Sequence, residues 1–395
     1  MPPLVTVVVP SFQQARFLRA AIDSILSQDH APLEVLVQDG GSTDGSLEIL
    51  RSYGERIRWR SEKDRGQCDA INRGFRAAQG EILAWLNSDD VYRPGAVRKA
   101  VAALAREPQA ALVYGEGELI DAEGELLARF PETVPFDLWR LANVADYILQ
   151  PTVFFRRGPL LASGLLDENL HYGLDWELWL RIGERLPLAY VPEVLAASRV
   201  YAATKTSTGG WRRLRELYAI LRRHGVRGPS PAAVAHTVTT VVRKVHPSQG
   251  PVSASAVAAE LPRGLGALAR PLLARAERSL RRWLQNAQGL WRDGFVAGVG
   301  HLWLPSDGAP ARLVVRGRNL GLAGQIIGLS VGRRHARTEP LAAGEPFTLQ
   351  VDVAPGAVPV KARLCCTRLQ KVAPLDPALG ARRAGFVLLR HELQR

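Results

Sequence analysis

The chain has 395 residues, of which 47% are apolar; this is more than one hydrophobic core usually organises, and it predicts two domains and a connector. The three cysteines, Cys68, Cys365 and Cys366, indicate no disulfide framework and favour a reducing cytoplasm. No segment approaches the roughly 20 apolar residues of a membrane span, and residues 1–10 lack the pattern of a secretory signal, so we expect neither a secreted nor an integral membrane protein.

The net charge of +13 is unevenly distributed along the chain. Residues 1–204 carry 21 Lys and Arg against 28 Asp and Glu, whereas residues 205–295 carry 16 against 4. Such a basic middle suits a polyanionic surface, either acidic phospholipid or nucleic acid. Because the segment has no recognised nucleic-acid-binding motif and few aromatic residues among its arginines, we predict no nucleic-acid partner.

The first half of the chain alternates strand and helix patterns. Short, β-branched apolar runs predict buried parallel strands, and apolar residues at helical spacing predict the helices between them. This alternation implies right-handed crossovers and a mostly parallel sheet, with ligands at the carboxyl ends of the strands. The predicted elements are strand Leu4–Pro10, helix Phe17–Gln28, strand Leu33–Gln38, helix Ser46–Tyr53, strand Ile57–Ser61, helix Asp69–Ala78 and strand Ile82–Leu86.

Beyond about residue 205 the pattern changes twice. Residues 211–224 predict a basic amphipathic helix, and residues 268–291 predict a second basic helical region. From residue 294, short alternating runs between Gly and Pro turns predict a small all-β sandwich. The apolar face of the first basic helix is predicted to comprise Trp211, Leu214, Leu217, Tyr218 and Leu221. We therefore predict domains at 1–208 and 294–395, joined by a basic helical connector at 209–293.

The most informative polar cluster is Asn87-Ser88-Asp89-Asp90, directly after the fourth predicted strand. Adjacent carboxylates at a strand end repel each other unless a cation is present, and a divalent ion that also binds phosphate oxygens would relieve the repulsion. Alternatively, Asp90 begins the helix expected over Pro94–Ala105 as its cap. The cluster alone does not decide between these two interpretations.

Five motifs, in this order and spacing, resemble the family 2 glycosyltransferases with the GT-A fold. They are Val7–Phe12, Val37–Ser46, Asp64–Gln67, Asn72–Gly74 and Leu86–Asp90, within a resemblance that covers roughly residues 4–208. The resemblance implies an α/β fold with a mostly parallel sheet flanked by helices. It also implies an inverting transfer of sugar from a nucleotide-diphosphate donor to a hydroxyl group of a carbohydrate, with Mg²⁺ or Mn²⁺ as cofactor.

The resemblance further assigns roles on the donor side. It implies that Pro10 and Phe12 line the nucleotide pocket and that Asp39 pairs with the base. Three further residues would lie near the ribose, the diphosphate or the sugar, namely Arg65, Gln67 and Asn72.

The metal site follows from the same resemblance. Asp89 would be the metal ligand, with Asp90 alongside. Asn87 stands where many members carry the first acidic residue of the motif, and its amide can still hydrogen-bond a ribose or a water held by the metal.

A second cluster, Tyr172–Arg181, resembles the segment that holds the family's catalytic base, and Asp175 is the matching position. Trp176, Trp179 and Leu180 match one buried helix face. A carboxylate at a helix start beside aromatic rings is partly desolvated and therefore accepts a proton more readily. The alternative is that Asp175 is simply the N-cap of this helix.

The segment that follows departs from the family, because Tyr201 stands where members often place a histidine. The chain also lacks the Gln-x-x-Arg-Trp segment and transmembrane helices of processive members, which favours the addition of one sugar at a time. One interpretation is that the acceptor is a lipid-linked glycan of bacterial cell-surface polysaccharide synthesis, with the basic helices at the inner face of the cytoplasmic membrane. Equally, the arginines could solvate the helices and contact the acidic first domain.

The tail, particularly residues 371–374 and 380–390, resembles a β-sandwich module attached to some bacterial glycosyltransferases. Asn87 and this added module motivate a second hypothesis, in which a transferase scaffold binds carbohydrate or nucleotide sugar without turnover. Ion-dependent hydrolysis of the donor would distinguish the enzyme from the binding protein.

Overall fold

We analysed a computed structural model of the chain. The structure describes residues 2–130, 133–201, 204–205, 209–226, 230, 232–233, 236–237, 240, 295–296, 299–320, 324–366, 370–372, 382–384 and 386–394. The chain forms two compact units. The first comprises Met1–Phe136, Asp146–Pro229 and Ala233–Val252, and the second comprises Asp137–Ala145, Ser230–Ala232 and Ser253–Arg395.

The first unit is built on one mixed sheet, in the spatial order β3-β2-β1-β4-β8-β6-β9-β5, with β7 paired to β6. Its strands are β1 (Val5–Ser11), β2 (Leu33–Asp39), β3 (Arg58–Ser61), β4 (Ile82–Trp85), β5 (Val91–Tyr92), β6 (Leu112–Ile120), β7 (Leu126–Arg129), β8 (Phe154–Arg156) and β9 (Leu188–Arg199). Strands β1 to β4 pair in parallel, and so do β6 and β9. The predicted parallel arrangement of the first four strands is confirmed.

Amphipathic helices flank this sheet because their apolar stripes need a partner surface. The helices of the first unit are α1 (Ala15–Leu26), α2 (Ser46–Ser52), α3 (Gln67–Ala77), α4 (Ala96–Arg106), α6 (Arg157–Ser163), α7 (Leu174–Gly183) and α8 (Gly210–Arg223), whereas α5 (Leu138–Asn143) belongs to the second unit. Single 3₁₀ turns occur at Gly54–Arg56 and Gln150–Thr152. The predicted mixed α/β class is confirmed.

An aromatic cluster joins the sheet to α7. Trp85, at the end of β4, stacks on Phe155 with the ring centroids 5.8 Å apart and on Trp179 of α7 with the centroids 5.6 Å apart. Both tryptophans are almost fully buried. Because aromatic pairs in this geometry stabilise their contact beyond simple area burial, the end of β4 and the body of α7 form one rigid block.

Helix α8 belongs to the first unit, whereas the sequence prediction ends the first domain at residue 208. Its buried residues are Leu214, Leu217, Ile220 and Leu221, and Trp211 is 56% exposed. The prediction that Trp211 lies on the buried face is therefore wrong. The buried stripe includes Ile220, which the prediction omitted, and this turns the packed face of the helix away from Trp211.

The second unit contains two four-stranded antiparallel sheets, in the orders β10-β19-β12-β15 and β11-β16-β13-β14, and a two-stranded sheet of β17 and β18. Its strands are β10 (Phe295–Val296), β11 (Val299–Leu304), β12 (Ala311–Asn319), β13 (Ile327–Val331), β14 (Arg334–Arg337), β15 (Pro346–Val353), β16 (Val360–Cys366), β17 (Gln370–Val372), β18 (Arg382–Ala384) and β19 (Phe386–Gln394). Alternate residues of both four-stranded sheets meet in one hydrophobic cluster, which confirms the predicted all-β character.

The basic helical region predicted over residues 268–291 lies outside the described residues. Within the described part of the chain, no helix is both long and apolar enough to cross a membrane.

Candidate active site

The candidate site lies along the sheet edge where β1 to β4 end. Because these four strands are parallel, the polar residues that follow them all emerge at the same edge. The hydroxyl of Ser11, the last residue of β1, is buried and has no hydrogen-bond partner among the described residues. Buried polar groups are nearly always paired, so an orphan hydroxyl at a strand end is consistent with a missing ligand.

An exposed aromatic ring stands next to a carboxylate at this edge. Pro10 is buried within β1, and Phe12, two residues later, is 59% exposed. A Cβ atom on Gly40 would lie only 2.8 Å from Oδ2 of Asp64 and 3.3 Å from the ring of Phe12. Asp64 therefore fills the space that a side chain at position 40 would occupy. Its Oδ1 accepts a hydrogen bond of 2.8 Å from the backbone N–H of Gly66, which fixes the carboxylate.

Asp39, which the sequence assigns to the base, is engaged in its own turn. One oxygen accepts hydrogen bonds from the N–H groups of Gly41 and Ser42 and from the hydroxyl of Ser61. The other accepts a bond of 2.6 Å from the Ser42 hydroxyl. The side chain is 2% exposed, and its contacts make it the organiser of the loop after β2. Its pairing with a base stays a prediction.

A chain of hydrogen bonds crosses the site from the β4 end. Asn87 Oδ1 accepts from Gln67 Nε2 at 2.8 Å, and Gln67 Oε1 accepts from Lys205 Nζ at 3.0 Å. The amide nitrogen of Asn87 donates in turn to Gln150 Oε1 at 2.9 Å and to Asp90 Oδ2 at 3.1 Å. Asn87 is therefore the hub that orients both sides of the strand end.

The two acidic residues after Asn87 face different partners. Asp89 Oδ2 accepts a hydrogen bond of 2.9 Å from the hydroxyl of Tyr201. Asp90 is buried, and its oxygens accept from the backbone N–H of Arg199 and from Asn87. Burial raises the pKa of both carboxyl groups, and the charge of Asp89 raises that of Asp90 further.

This arrangement decides against the alternative in which Asp90 caps a helix. Asp90 is not a helix cap, because the cap of α4 is Gly95. Its oxygens accept from the N–H groups of Arg199 and Asn87, and the metal roles of Asp89 and Asp90 stay predictions. Across the described residues, no group of three His, Cys, Asp or Glu side chains could hold a metal. A single carboxylate nevertheless fits Mg²⁺ or Mn²⁺ when the ion takes its other ligands from phosphate and water.

Asp175 lies at the start of α7, on the other side of this hydrogen-bond chain. The N-cap of α7 is Gly173, in the left-handed conformation with φ of +56°, so Asp175 is not the cap. Its Oδ1 accepts from the N–H of Trp176 at 2.9 Å. Burial raises the pKa of Asp175, although the charges of Lys205 and Arg213 oppose this rise.

A second carboxyl group, Asp146, belongs to the same site. Burial raises its pKa well above the ordinary value, and the charge of Asp175 adds to the rise. Two carboxyl groups that repel each other while partly desolvated give up their protons at different pH values. The burial of Trp176, Trp179 and Leu180 against the core, as predicted, holds this end of α7 in place.

Two residues that are predicted to contact the donor, Asn72 and Arg65, lie outside the hydrogen-bond chain of Asn87, Gln67 and Lys205. The amide of Asn72 exchanges hydrogen bonds with the backbone of Leu166 in both directions and is 1% exposed. The guanidinium of Arg65 pairs with Glu168 and with Asp69. The structure therefore places both residues around the segment that leads to α7, and their donor contacts stay predictions.

The sequence interpretation missed Asp64, Lys205, Asp146 and Gln150 as members of the site. Asp64 lies inside a quoted motif, so its position was visible although its role was not. Gln150 and Lys205 lie in two further segments that resemble the family, Gln150–Phe155 and Arg199–Thr206, so their positions were visible as well. Asp146 lies outside these segments, and only the fold brings it near Asp175.

Comparison with known proteins finds similar sequences for the first half of the chain. The family model described as glycosyl transferase family 2 matches residues 6–130. An uncharacterized glycosyltransferase of Rickettsia prowazekii (strain Madrid E) is 31% identical over 217 residues, which are 52% of this chain and 67% of that protein. A chondroitin synthase of Escherichia coli is 27% identical over 208 residues, 52% of this chain and 30% of the synthase.

Among solved structures, S. aureus TarS 1-349 in complex with UDP is 16% identical, with a TM-score of 0.46, over 72% of this chain and 79% of that one. The mannosyltransferase PcManGT from Pyrobaculum calidifontis, in complex with GDP-Man and Mn²⁺, is 22% identical, with a TM-score of 0.47, over 72% of this chain and 84% of that one.

Proposed function

This chain belongs to the family 2 glycosyltransferases, and from that premise we propose that it moves a sugar from a nucleotide-diphosphate donor to a hydroxyl group of a glycan, with inversion at the anomeric carbon. The acceptor is a carbohydrate or a lipid-linked glycan of cell-surface polysaccharide synthesis. The observation that carries the proposal is the hydrogen-bond chain Asn87–Gln67–Lys205, which links the acidic end of β4 to the surroundings of Asp175.

The donor half of the proposal rests on the sheet edge. The exposed ring of Phe12 offers a stacking surface for a base, and Oδ2 of Asp64 beside it offers an acceptor for a base N–H. Asp89 would hold Mg²⁺ or Mn²⁺. When bound, the ion neutralises charge on the diphosphate.

The acceptor half rests on Asp175. Its carboxylate takes the proton from the acceptor hydroxyl while that oxygen attacks the anomeric carbon from the face opposite the leaving diphosphate. Partial desolvation raises the pKa of Asp175 and so makes its carboxylate a better base than a surface aspartate. The ammonium group of Lys205, between Gln67 and Asp175, adds positive charge where negative charge grows on the leaving group.

The variant Asp175→Asn tests the base. We expect transfer to fall by about 100-fold or more, because general-base catalysis contributes that much, while the affinity for nucleotide diphosphate is unchanged. The measurements are steady-state transfer and calorimetric titration of nucleotide diphosphate. Asp29→Asn, a surface carboxylate paired with Arg98, is the matched control. Full activity of the Asp175 variant would remove this residue from the mechanism.

The second hypothesis, a binding protein without turnover, makes a different prediction. Such a protein binds nucleotide sugar and releases no nucleotide diphosphate, with or without a divalent ion. Incubation with a panel of nucleotide sugars, with Mn²⁺ or with chelator, therefore separates the two. Ion-dependent release of nucleotide diphosphate supports the transferase.

We also propose that the outer face of α8 binds an anionic membrane surface, at the inner face of the cytoplasmic membrane. Trp211 is exposed there, and so are three arginines of the same helix, Arg212, Arg215 and Arg222. Exposed tryptophan combined with arginine suits the lipid headgroup region, where the ring is buried and the charges meet anionic phosphate. This surface would keep the enzyme beside a lipid-linked acceptor.

Liposome flotation tests this surface. We expect the full chain to float with vesicles that contain anionic lipid and not with neutral vesicles, and the double variant Arg212→Ser, Arg215→Ser to lose flotation. The control is Arg98→Ser, which changes an exposed arginine of α4. Flotation of the double variant equal to that of wild type would contradict the membrane surface. Binding of the full chain to nucleic acid but not to anionic vesicles would also contradict it.

A further inference from the structure

Helix α8 reaches the turn that precedes Asp175 through one acidic side chain. Among the 14 residues of α8, Glu216 is the only acidic one, beside five arginines. Its Oε2 accepts a hydrogen bond of 3.0 Å from the backbone N–H of His171, and its Oε1 accepts from the backbone N–H of Tyr172. The carboxylate thus binds two consecutive N–H groups, and hydrogen bonds to an ionised acceptor are the stronger kind.

The same turn is packed tightly against α8. Gly173 has a left-handed φ of +56°, and a Cβ atom there would lie 2.7 Å from Leu217 and 3.0 Å from Ile220. Only glycine combines that backbone conformation with so close an approach. A Cβ atom on Gly209, just before α8, would likewise lie 2.8 Å from the ring of Tyr172.

A second set of contacts fixes the far end of this helix pair. Arg223 of α8 lies 3.7 Å from Glu177 of α7, and His224 Nδ1, just after α8, lies 3.1 Å from Glu184, just after α7. Because these contacts hold α7 and α8 together without Glu216, the carboxylate is not needed to join the helices. Its two hydrogen bonds instead act on residues 171 and 172 alone.

We propose that Glu216 is a positioning residue for Asp175, which it serves by fixing the turn at residues 171–173 from which α7 begins. This rests on the proposed function, in which Asp175 is the base. Asp175 follows Gly173 by two residues, so a shift of the turn moves the carboxylate relative to the β4 end. Displacement of a catalytic group by about 1 Å can cost about 100-fold in rate without contact to substrate.

The test compares Glu216→Ala and Glu216→Gln with wild type and with Glu55→Ala, which changes an exposed glutamate of the 3₁₀ turn Gly54–Arg56. Glu216→Ala removes both acceptors, whereas Glu216→Gln keeps one and is matched in shape, so it should fold where the alanine variant does not. The readouts are amide hydrogen exchange over residues 171–177, kcat for transfer, and the Kd for nucleotide diphosphate.

We expect faster exchange at residues 171 and 172 in both variants and a kcat lowered by about 100-fold in Glu216→Ala, less in Glu216→Gln, with unchanged Kd. Unchanged exchange would overturn the contact itself. Faster exchange with wild-type kcat would overturn the positioning role. If wild type shows no turnover with any donor, the proposed function fails and removes the catalytic role, whereas the exchange result still judges the contact.

Discussion

The hydroxyl of Tyr201 donates a hydrogen bond of 2.9 Å to Oδ2 of Asp89. Gln14 Nε2 contacts the same hydroxyl at 3.4 Å, and the ring of Tyr201 packs on Phe17 with the centroids 5.1 Å apart. The tyrosine therefore closes one side of the Asp89 carboxylate. It occupies the position where members of the family often place a histidine.

The first prediction concerns the ion. Asp89→Asn removes the charge that would hold Mg²⁺ or Mn²⁺, so nucleotide diphosphate should bind this variant equally well with Mn²⁺ and with chelator. Wild type should bind it more tightly with Mn²⁺. Tyr201→Phe is the control, since it frees Oδ2 and keeps the carboxylate, and should retain the Mn²⁺ effect. Calorimetric titration measures all three. An Mn²⁺ effect that survives in Asp89→Asn would place the ion elsewhere.

The second prediction concerns pH. A base must be deprotonated to act, so kcat/KM should fall as the pH drops through the raised pKa of Asp175, and this acid limb should lie above the ordinary aspartate value of 3.8. Burial and the charge of Asp175 raise the pKa of Asp146 well above the ordinary value, so Asp146 keeps its proton while Asp175 titrates. Asp146→Asn, which resembles the protonated side chain, should therefore leave the acid limb in place.

Profiles of kcat/KM against pH for wild type and Asp146→Asn check this expectation. The control is Asp167→Asn, which changes a carboxylate that pairs with Arg223 and has a lowered pKa. An acid limb that moves to lower pH in Asp146→Asn would contradict it, because it would show that Asp146 is already charged while Asp175 titrates.

The third prediction concerns the base of the donor. In Asp64→Asn, the amide oxygen can still accept from the N–H of Gly66, so the amide nitrogen must replace Oδ2 beside Phe12. A donor then stands where an acceptor stood. We expect the affinity for UDP or GDP, whose bases present an N–H, to fall by about 10-fold or more, because the base N–H loses its partner.

Titrations of UDP, GDP and CDP measure this change. The affinity for CDP should fall less or should rise, since cytosine presents an acceptor at the same edge. Asp44→Asn, at an exposed turn of the same sheet edge, is the matched control. Unchanged affinity for all three nucleotides would separate Asp64 from base recognition.

The sequence predicted the first half of the sheet because its signals are local. Short β-branched runs such as Val5–Val9 favour buried strands, and the polar clusters after them are adjacent in sequence to the strands that position them. The parallel pairing of β6 with β9 joins residues 112–120 to residues 188–199. No local sequence pattern predicts pairing between segments so far apart in the chain.

The same distinction separates the parts of the site. Asn87, Asp89 and Asp175 lie in motifs, so the sequence located them. Glu216 reaches the site only through the packing of α8, and a single acidic residue within a basic stretch is expected at the surface.

The fourth prediction concerns the stability of the helix pair. Burial by itself lowers the pKa of His224, but its contacts with Glu177 and Glu184 outweigh burial, and the net pKa is raised. A raised folded-state pKa means that protonated His224 stabilises the fold fully below the unfolded value near 6.5, and that this contribution is lost as the pH rises through the folded-state pKa.

The free energy of unfolding should therefore decrease as the pH rises above about 6.5 and through the raised folded-state pKa of His224, and His224→Asn should flatten this part of the profile. Urea titrations at several pH values measure it, with His335→Asn, an exposed histidine of β14, as the control. Glu177 strengthens the expectation, because it stays a carboxylate throughout this range. Burial alone would raise its pKa, yet its contact with His224 and its ion pair with Arg181 lower the pKa to about 2. A profile that rises with pH would mean that His224 is neutral in the folded protein.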